Sequence, residues 1–279
     1  MLGSEIETLL KKKKLDYYAT DKDCDITSLS ELNNFTDNKK INWIINCSAY
    51  TAVDAAEDNT ETAFKVNAEG TGNIADIAKN KDATLIHIST DYVFNGSKQG
   101  PYTESDIPNP QGVYGRSKAA GEQLITEKIK KFFIIRTAWL YGRNGNNFVQ
   151  TMLGLLREKE NISVVNDQFG SPTYAPDLAE LVVYIITGKS KKYGIFHYSN
   201  EGELSWFDFT KEIYNTGKTI GILSKSCRID AVSTDKFPTK AKRPVNSVLS
   251  KEKIKQELNI TVPFWKDSLK KYLLKEKIQ

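Results

Sequence analysis

The chain has 279 residues, of which 39% are hydrophobic and 27% charged, a balance that fits a folded soluble protein and excludes a disordered one. Its net charge of +4 arises from 39 basic and 35 acidic residues spread along the chain, so no footprint for nucleic acid or a membrane surface stands out. The three cysteines, Cys24, Cys47 and Cys227, lack disulfide or zinc spacing and point to a reducing cytoplasm, and no apolar run reaches the ~18 residues of a membrane span.

Apolar recurrence at three and four residues predicts a first helix over Ser4 to Lys14, closed by the cations Lys11 to Lys14. A short strand over Leu15 to Ala19, a helix over Ser28 to Phe35 and a strand over Trp43 to Ala49 follow. Next come a helix over Glu61 to Lys79, a strand over Thr84 to Ser89, a helix over Gly115 to Lys130 and a strand over Phe132 to Thr137. This alternation is that of βαβ units on a parallel sheet. It loosens afterwards, through a strand at Ile162 to Val165, a helix at Pro176 to Ile186, a strand at Gly194 to Tyr198 and a helix at Ser205 to Tyr214. A proline-bearing loop at Ser233 to Asn246 leads to helices at Ser250 to Glu257 and Trp265 to Lys275.

The expected fold is therefore α/β, a Rossmann-like doubly wound parallel sheet with a smaller C-terminal lobe for substrate. Residues 1–145 would form the dinucleotide-binding domain, and 146–279 mainly the second lobe, with some segments returning to the first. Ligands of such sheets sit beyond the carboxyl ends of the strands. Ala49-Tyr50-Thr51, Ser89-Thr90-Asp91 and Thr137-Ala138-Trp139 each stand where an apolar run ends. His87 and His197 lie within apolar stretches, which favours core or supporting positions over metal ligation.

Tyr114 and Lys118 are four residues apart and share one helix face. A phenol is a poor acid–base catalyst at neutral pH, and a nearby ammonium eases its ionisation. Reducing a ketone needs a hydride at carbon and a proton at oxygen. Tyr114 would deliver the proton while the Thr90 hydroxyl hydrogen-bonds the developing alkoxide.

The runs His87-Ile88-Ser89-Thr90-Asp91-Tyr92-Val93-Phe94-Asn95-Gly96, Arg136-Thr137-Ala138-Trp139-Leu140-Tyr141, Asn166-Asp167-Gln168-Phe169-Gly170-Ser171 and Arg243-Pro244-Val245-Asn246-Ser247, with Tyr114 and Lys118 between them, resemble the extended short-chain dehydrogenases. More narrowly they resemble the dTDP-4-dehydrorhamnose reductase family, over nearly the whole chain. The resemblance implies reduction of a dTDP-sugar with NADPH or NADH, Tyr114 as proton donor, Lys118 as its partner and Thr90 as the tuning hydroxyl. It implies that Gly3, Asp21, Asp25, Ile26, Ala49, Tyr50 and Thr51, with Tyr114 and Lys118, line the cofactor. Thr90, Asp91, Trp139, Arg243 and Asn246 would face the sugar nucleotide. Trp139 has an alternative reading as core, Asp91 as a turn residue, and Arg243 with Asn246 as part of a plain surface loop. Some members of the family pair as homodimers with bridging Mg2+, for which Glu5 is the candidate ligand here. A regulatory subunit resembling the β subunit of methionine adenosyltransferase and a nucleotide-sugar epimerase are the alternative functions.

One departure is expected to matter. The family opens with a strand and a glycine-rich turn, whereas this sequence opens at Met1-Leu2-Gly3, which resembles the end of that turn. The expectation is a sheet lacking its first strand in the order 3-2-1-4-5-6, weak cofactor binding and an internal Met1. Gly70-Thr71-Gly72-Asn73-Ile74-Ala75 matches a dinucleotide fingerprint but follows a helical stretch, so it is expected to be a decoy.

Overall fold

The computed structural model describes residues 1–277. Its first half runs through α1 (Leu2–Lys12), α2 (Leu29–Thr36), β1 (Trp43–Asn46), α3 (Val53–Asp58), α4 (Thr60–Phe64), a π-helical turn (Lys65–Gly70), α5 (Thr71–Asn80), β2 (Thr84–Thr90), α6 (Val113–Lys128) and β3 (Phe132–Thr137). The second half contains β4 (Leu140–Tyr141), α7 (Phe148–Glu158), β5 (Asn161–Val165), β6 (Phe169–Gly170), β7 (Thr173–Tyr174), α8 (Ala175–Thr187) and β8 (Gly194–His197). It ends with β9 (Leu204–Ser205), α9 (Trp206–Ile220), β10 (Arg228–Val232), α10 (Glu252–Leu258) and α11 (Trp265–Lys277). Among these residues no helix is long and apolar enough to cross a membrane.

The central sheet has four parallel strands in the order β1-β2-β3-β8. Its strands read as continuous apolar runs because both faces are covered. Ile86, Phe133, Ile135 and Phe196 pack with Leu2, Ile6 and Leu10 of α1 and with Leu178, Val182 and Ile185 of α8. The intervening Leu85 and Ile134 pack on the other face, with Ile74 and Ile77 of α5, Ile125 of α6 and Leu32 of α2. Helices on both faces of a parallel sheet make the fold doubly wound, and β8 and α8 bring residues beyond 146 back into that layer. A second core joins α7, α9 and α11 through Val149, Leu153, Phe209, Ile213, Leu269 and Tyr272, with β5 and β10 paired in parallel beside it.

One expectation fails. Leu15 to Ala19 is not a strand; Leu15 and Tyr17 pack against the α1 layer, but the segment enters none of the sheets. Alternating apolar residues supply burial, whereas a strand also needs a ladder partner. β1 is an edge of the four-stranded sheet among the described residues, in line with the expectation of a sheet that lacks the first strand of the order 3-2-1-4-5-6. The sequence-predicted helix at Gly115 begins two residues earlier, at Val113, which brings Tyr114 into its first turn.

Candidate active site

The strands β1, β2 and β3 run parallel, so their carboxyl ends lie on one side of the sheet. Thr90 closes β2 opposite Thr137, the last residue of β3. The Thr90 hydroxyl accepts the Tyr92 amide at 3.2 Å, capping a short 3-10 turn at Asp91–Val93, and reaches Asp91 Oδ1 at 3.0 Å. Asp91 is buried, and its Oδ2 has no hydrogen-bond partner among the described residues. Burial pushes this carboxyl up to about 6. The turn role is thus real.

Helix α6 delivers Tyr114 and Lys118. Its N-cap, Gly112, has no side chain to bond the first amides, and Glu57 of α3 substitutes by accepting the Val113 amide at 2.8 Å. The Tyr114 ring packs edge-on against Tyr92, with centroids 5.5 Å apart. Burial moves the phenol above its usual range, opposed by the neighbouring Thr90 hydroxyl. Lys118, one turn on, is fully buried, and burial brings its amine down to about 8. Gly115 permits this docking, because a Cβ there would meet the Tyr92 carbonyl oxygen at 2.2 Å. Gly115→Ala should therefore cost about 1 to 3 kcal/mol of stability and lower turnover as well. An unshifted melt with full activity would show that α6 can back away from the 3-10 turn.

Tyr50 is held by Asn67, whose carboxamide accepts the Tyr50 amide at 2.8 Å, donates to its carbonyl at 3.1 Å and donates to Ser117 of α6 at 2.9 Å. Asn67 is fully buried in the π-helical turn, a local widening that recurs at functional sites. Ala49 and Thr51 flank Tyr50 on the same connection after β1. Sequence reasoning missed Asn67, Glu57 and Tyr92; only the Thr-Asp-Tyr run hinted at the last.

Other expected residues are placed with their side chains already engaged. Arg243 donates to Asp54 Oδ2 at 2.6 Å and to the Tyr92 hydroxyl at 2.8 Å, which sets it two contacts from Tyr114. Asn246 spends its amide on the carbonyls of Lys98 and Gly100, both at 2.8 Å, and so clamps a loop. Asp25 accepts from the amide and hydroxyl of Thr27, and Asp21 lies in an exposed turn whose amide bonds Asp23. Ile26 packs where a Cβ on Gly70 would stand, at 2.7 Å. Gly70 and Gly72 thus serve helix packing, away from any strand-to-helix turn. Around Glu5 no group of three or more His, Cys, Asp or Glu gathers among the described residues, so magnesium finds no support.

Trp139 is half-buried and stacks on Trp206 with centroids 3.4 Å apart. Its backbone is left-handed, φ +48°, an arrangement that costs a non-glycine residue about 1 to 2 kcal/mol. Trp139→Ala should lose the stacking and keep that cost, whereas Trp139→Gly relieves it. The glycine variant should melt above the alanine variant by roughly 1 kcal/mol of stability; the reverse order would show that the backbone there is unstrained.

The residues present fit a dinucleotide. Helix α1 starts with no side-chain cap on its amides, and its Gly3 faces Cys47 at the carboxyl end of β1, with a Cβ position 3.9 Å from the Cys47 Cβ. Free amides beside a cleft suit a pyrophosphate, and Thr90, Tyr114 and Lys118 suit a ribose and a carbonyl.

The profile of the RmlD substrate binding domain matches residues 1–278. A dTDP-4-dehydrorhamnose reductase of Aggregatibacter actinomycetemcomitans is 42% identical over 250 residues, 88% of this chain and 85% of that protein. The crystal structure of a dTDP-4-dehydrorhamnose reductase from Clostridium acetobutylicum superposes with a TM-score of 0.93 at 42% identity, covering 99% of this chain and 96% of that one. That of Bacillus anthracis, in complex with NADP, gives 0.92 at 38% identity, covering 98% and 95%. By profile, sequence and fold together, the chain belongs to the dTDP-4-dehydrorhamnose reductase family.

Proposed function

We propose that this chain reduces the 4-keto group of dTDP-4-dehydro-L-rhamnose to give dTDP-L-rhamnose, with Tyr114, Lys118 and Thr90 as its catalytic residues. The reductase reading rests on the family, and NADP in the Bacillus anthracis relative supports NAD(P)H as the cofactor. The observation that supports the residue roles is the meeting of the Thr90 and Tyr114 hydroxyls at the end of β2, with Lys118 one helical turn on along α6 and the phenol held protonated by burial. A bound reduced nicotinamide supplies the hydride. Tyr114 hands its proton to the ketone oxygen as negative charge develops there, and the Thr90 hydroxyl, turned from Asp91 Oδ1, donates to the same oxygen. Asp91 Oδ2, buried without a partner, is the natural acceptor for a sugar hydroxyl. Arg243, released from Asp54, would meet the diphosphate with its planar guanidinium, and Trp139 would floor the sugar. Residues 1–145 carry the cofactor side and 146–279 most of the sugar side in this reading. The free thiols of Cys24, Cys47 and Cys227 support a cytoplasmic setting.

The test is to supply purified protein with dTDP-4-dehydro-L-rhamnose and either reduced cofactor, then follow cofactor oxidation and the sugar product. Oxidation matched by dTDP-L-rhamnose is expected. Sugar conversion without net cofactor consumption would indicate an epimerase instead, and no conversion beside an active relative would sink the reductase reading.

A further inference from the structure

Lys118 meets more than the cleft. Its Nζ lies 3.1 Å from His87 Nε2 and donates to the Ile88 carbonyl at 2.8 Å. His87 Nδ1 in turn lies 3.1 Å from Asn46 Nδ2. Asn46 ends β1 and is the cross-strand neighbour of His87 on β2. All three side chains are buried, His87 completely.

The hydrogen atoms of this chain can be assigned from one end. The Ser48 amide donates to Asn46 Oδ1 at 3.0 Å, which fixes the carboxamide with its NH2 group toward His87. Asn46 Nδ2 can only donate, so His87 Nδ1 must accept, and a neutral imidazole then carries its proton on Nε2. That N–H faces Lys118 Nζ. An amine has a lone pair to receive it; an ammonium has none. The contact is satisfied in one protonation state of the lysine alone.

We propose that the Asn46–His87 pair is a positioning device for Lys118, docking its neutral amine and turning its ammonium away from Nε2–H toward Tyr114 and the cleft. Protonation of Lys118 thereby becomes linked to its orientation. The consequence for catalysis rests on the reductase reading, in which the ammonium assists Tyr114. The groups facing Lys118 are His87 from β2, Cys47 after β1, and Glu122 one turn further along α6, with Tyr114 one turn before. Burial pushes the Cys47 thiol up to about 12, so it stays neutral through the relevant range, and burial together with Lys118 keeps His87 neutral. Glu122 favours the ammonium but less strongly than burial opposes it.

Two readouts test the pair. The first uses the chain alone. A lysine depressed on folding contributes a stability penalty that is full below its folded value, about 8, and vanishes above its unfolded value, about 10.5. Wild-type melting temperature should therefore rise across that window relative to Lys118→Met. In His87→Gln and Asn46→Asp backgrounds the window should narrow from its lower end by about one pH unit or more. Asn46→Asp keeps an acceptor for Ser48 and reverses the imidazole tautomer, so Nε2 becomes an acceptor for the ammonium; it carries the test should His87→Gln fold poorly. The second readout is the pH profile of NADPH affinity and of kcat/KM, whose alkaline limb should move upward by a similar amount. A melt window and an alkaline limb unmoved in both variants, or moved downward, overturn the proposal. Lowered stability or lowered kcat with no movement along the pH axis marks a merely structural role and overturns it equally. Shifted melts with no turnover by any version, wild type included, would support the pair while sinking the reductase reading.

Discussion

Tyr114→Phe should lower turnover by roughly 10²-fold or more while leaving the affinities for NADPH and the sugar nucleotide nearly unchanged. The substitution removes one oxygen and keeps the ring. That ring's edge-on contact with Tyr92 survives, as do the Glu57 cap on Val113 and the glycine contact that seats α6. What disappears is the hydroxyl proton beside Thr90. Burial raises the phenol well above neutrality, so in the reducing direction wild-type Tyr114 already stands in the protonated, donating form across the physiological range. Ionisation of this acid therefore does not limit the neutral-pH rate, and the variant cannot be rescued by lowering pH. Steady-state kinetics beside separate equilibrium titrations of each ligand decide it. Near-wild-type kcat would remove Tyr114 from the role of acid; a large loss of affinity would show that the hydroxyl binds rather than reacts.

Legibility in the sequence followed the range of the interaction. The strands β2 and β3 announce themselves because burial on both faces makes them unbroken apolar runs. Tyr114 and Lys118 do so because a four-residue spacing is a local property of a helix. The helix α7 is equally readable, with Asn147 as its cap and Val149, Met152, Leu153 and Leu156 on one face. The strand β10, Arg228–Val232, was not readable, since its residues are exposed or half-exposed and only pairing with β5 makes it a strand. Asn67, Glu57 and Asp54 share this limit. Each is a polar residue on a helix or turn until the fold places Tyr50, Val113 or Arg243 against it. Leu15 to Ala19 failed in the opposite sense, having the composition of a strand and no partner. The tautomer-directing pair Asn46 and His87 is likewise a product of strand register, invisible until β1 and β2 are aligned.

Arg136→Met should be the most damaging change to stability in the central layer, lowering it by about 3 to 5 kcal/mol. Arg136 and Glu122 are almost completely buried, and their ion pair is two-pronged, with Nη2 at 2.6 Å from Oε2 and Nε at 3.0 Å from Oε1. The Glu122 carboxylate also accepts the Ser89 hydroxyl, one residue before Thr90. On the other side Arg136 Nη1 approaches His197 Nε2 at 3.5 Å, while His197 Nδ1 lies 3.1 Å from the Tyr102 carbonyl. The carbonyl can only accept, so His197 is protonated at Nδ1 and offers Nε2 as acceptor to the guanidinium. Burial and the Arg136 charge hold this imidazole down at about 3, so it stays neutral at any ordinary pH. The guanidinium also lies 5.1 Å above the Phe94 ring. Removing it strands a carboxylate inside the protein, where desolvation is not repaid. The companion variant Glu122→Gln/Arg136→Met keeps a partner for Ser89 and buries no lone charge, so most of the loss should be recovered. For a chain of this size the single variant should lower the melting temperature by on the order of 10 °C. Equal melting of the single and double variants would show that the uncompensated charge is not what destabilises the protein, and the loss would then be assigned to the packing of the arginine stem against Phe94.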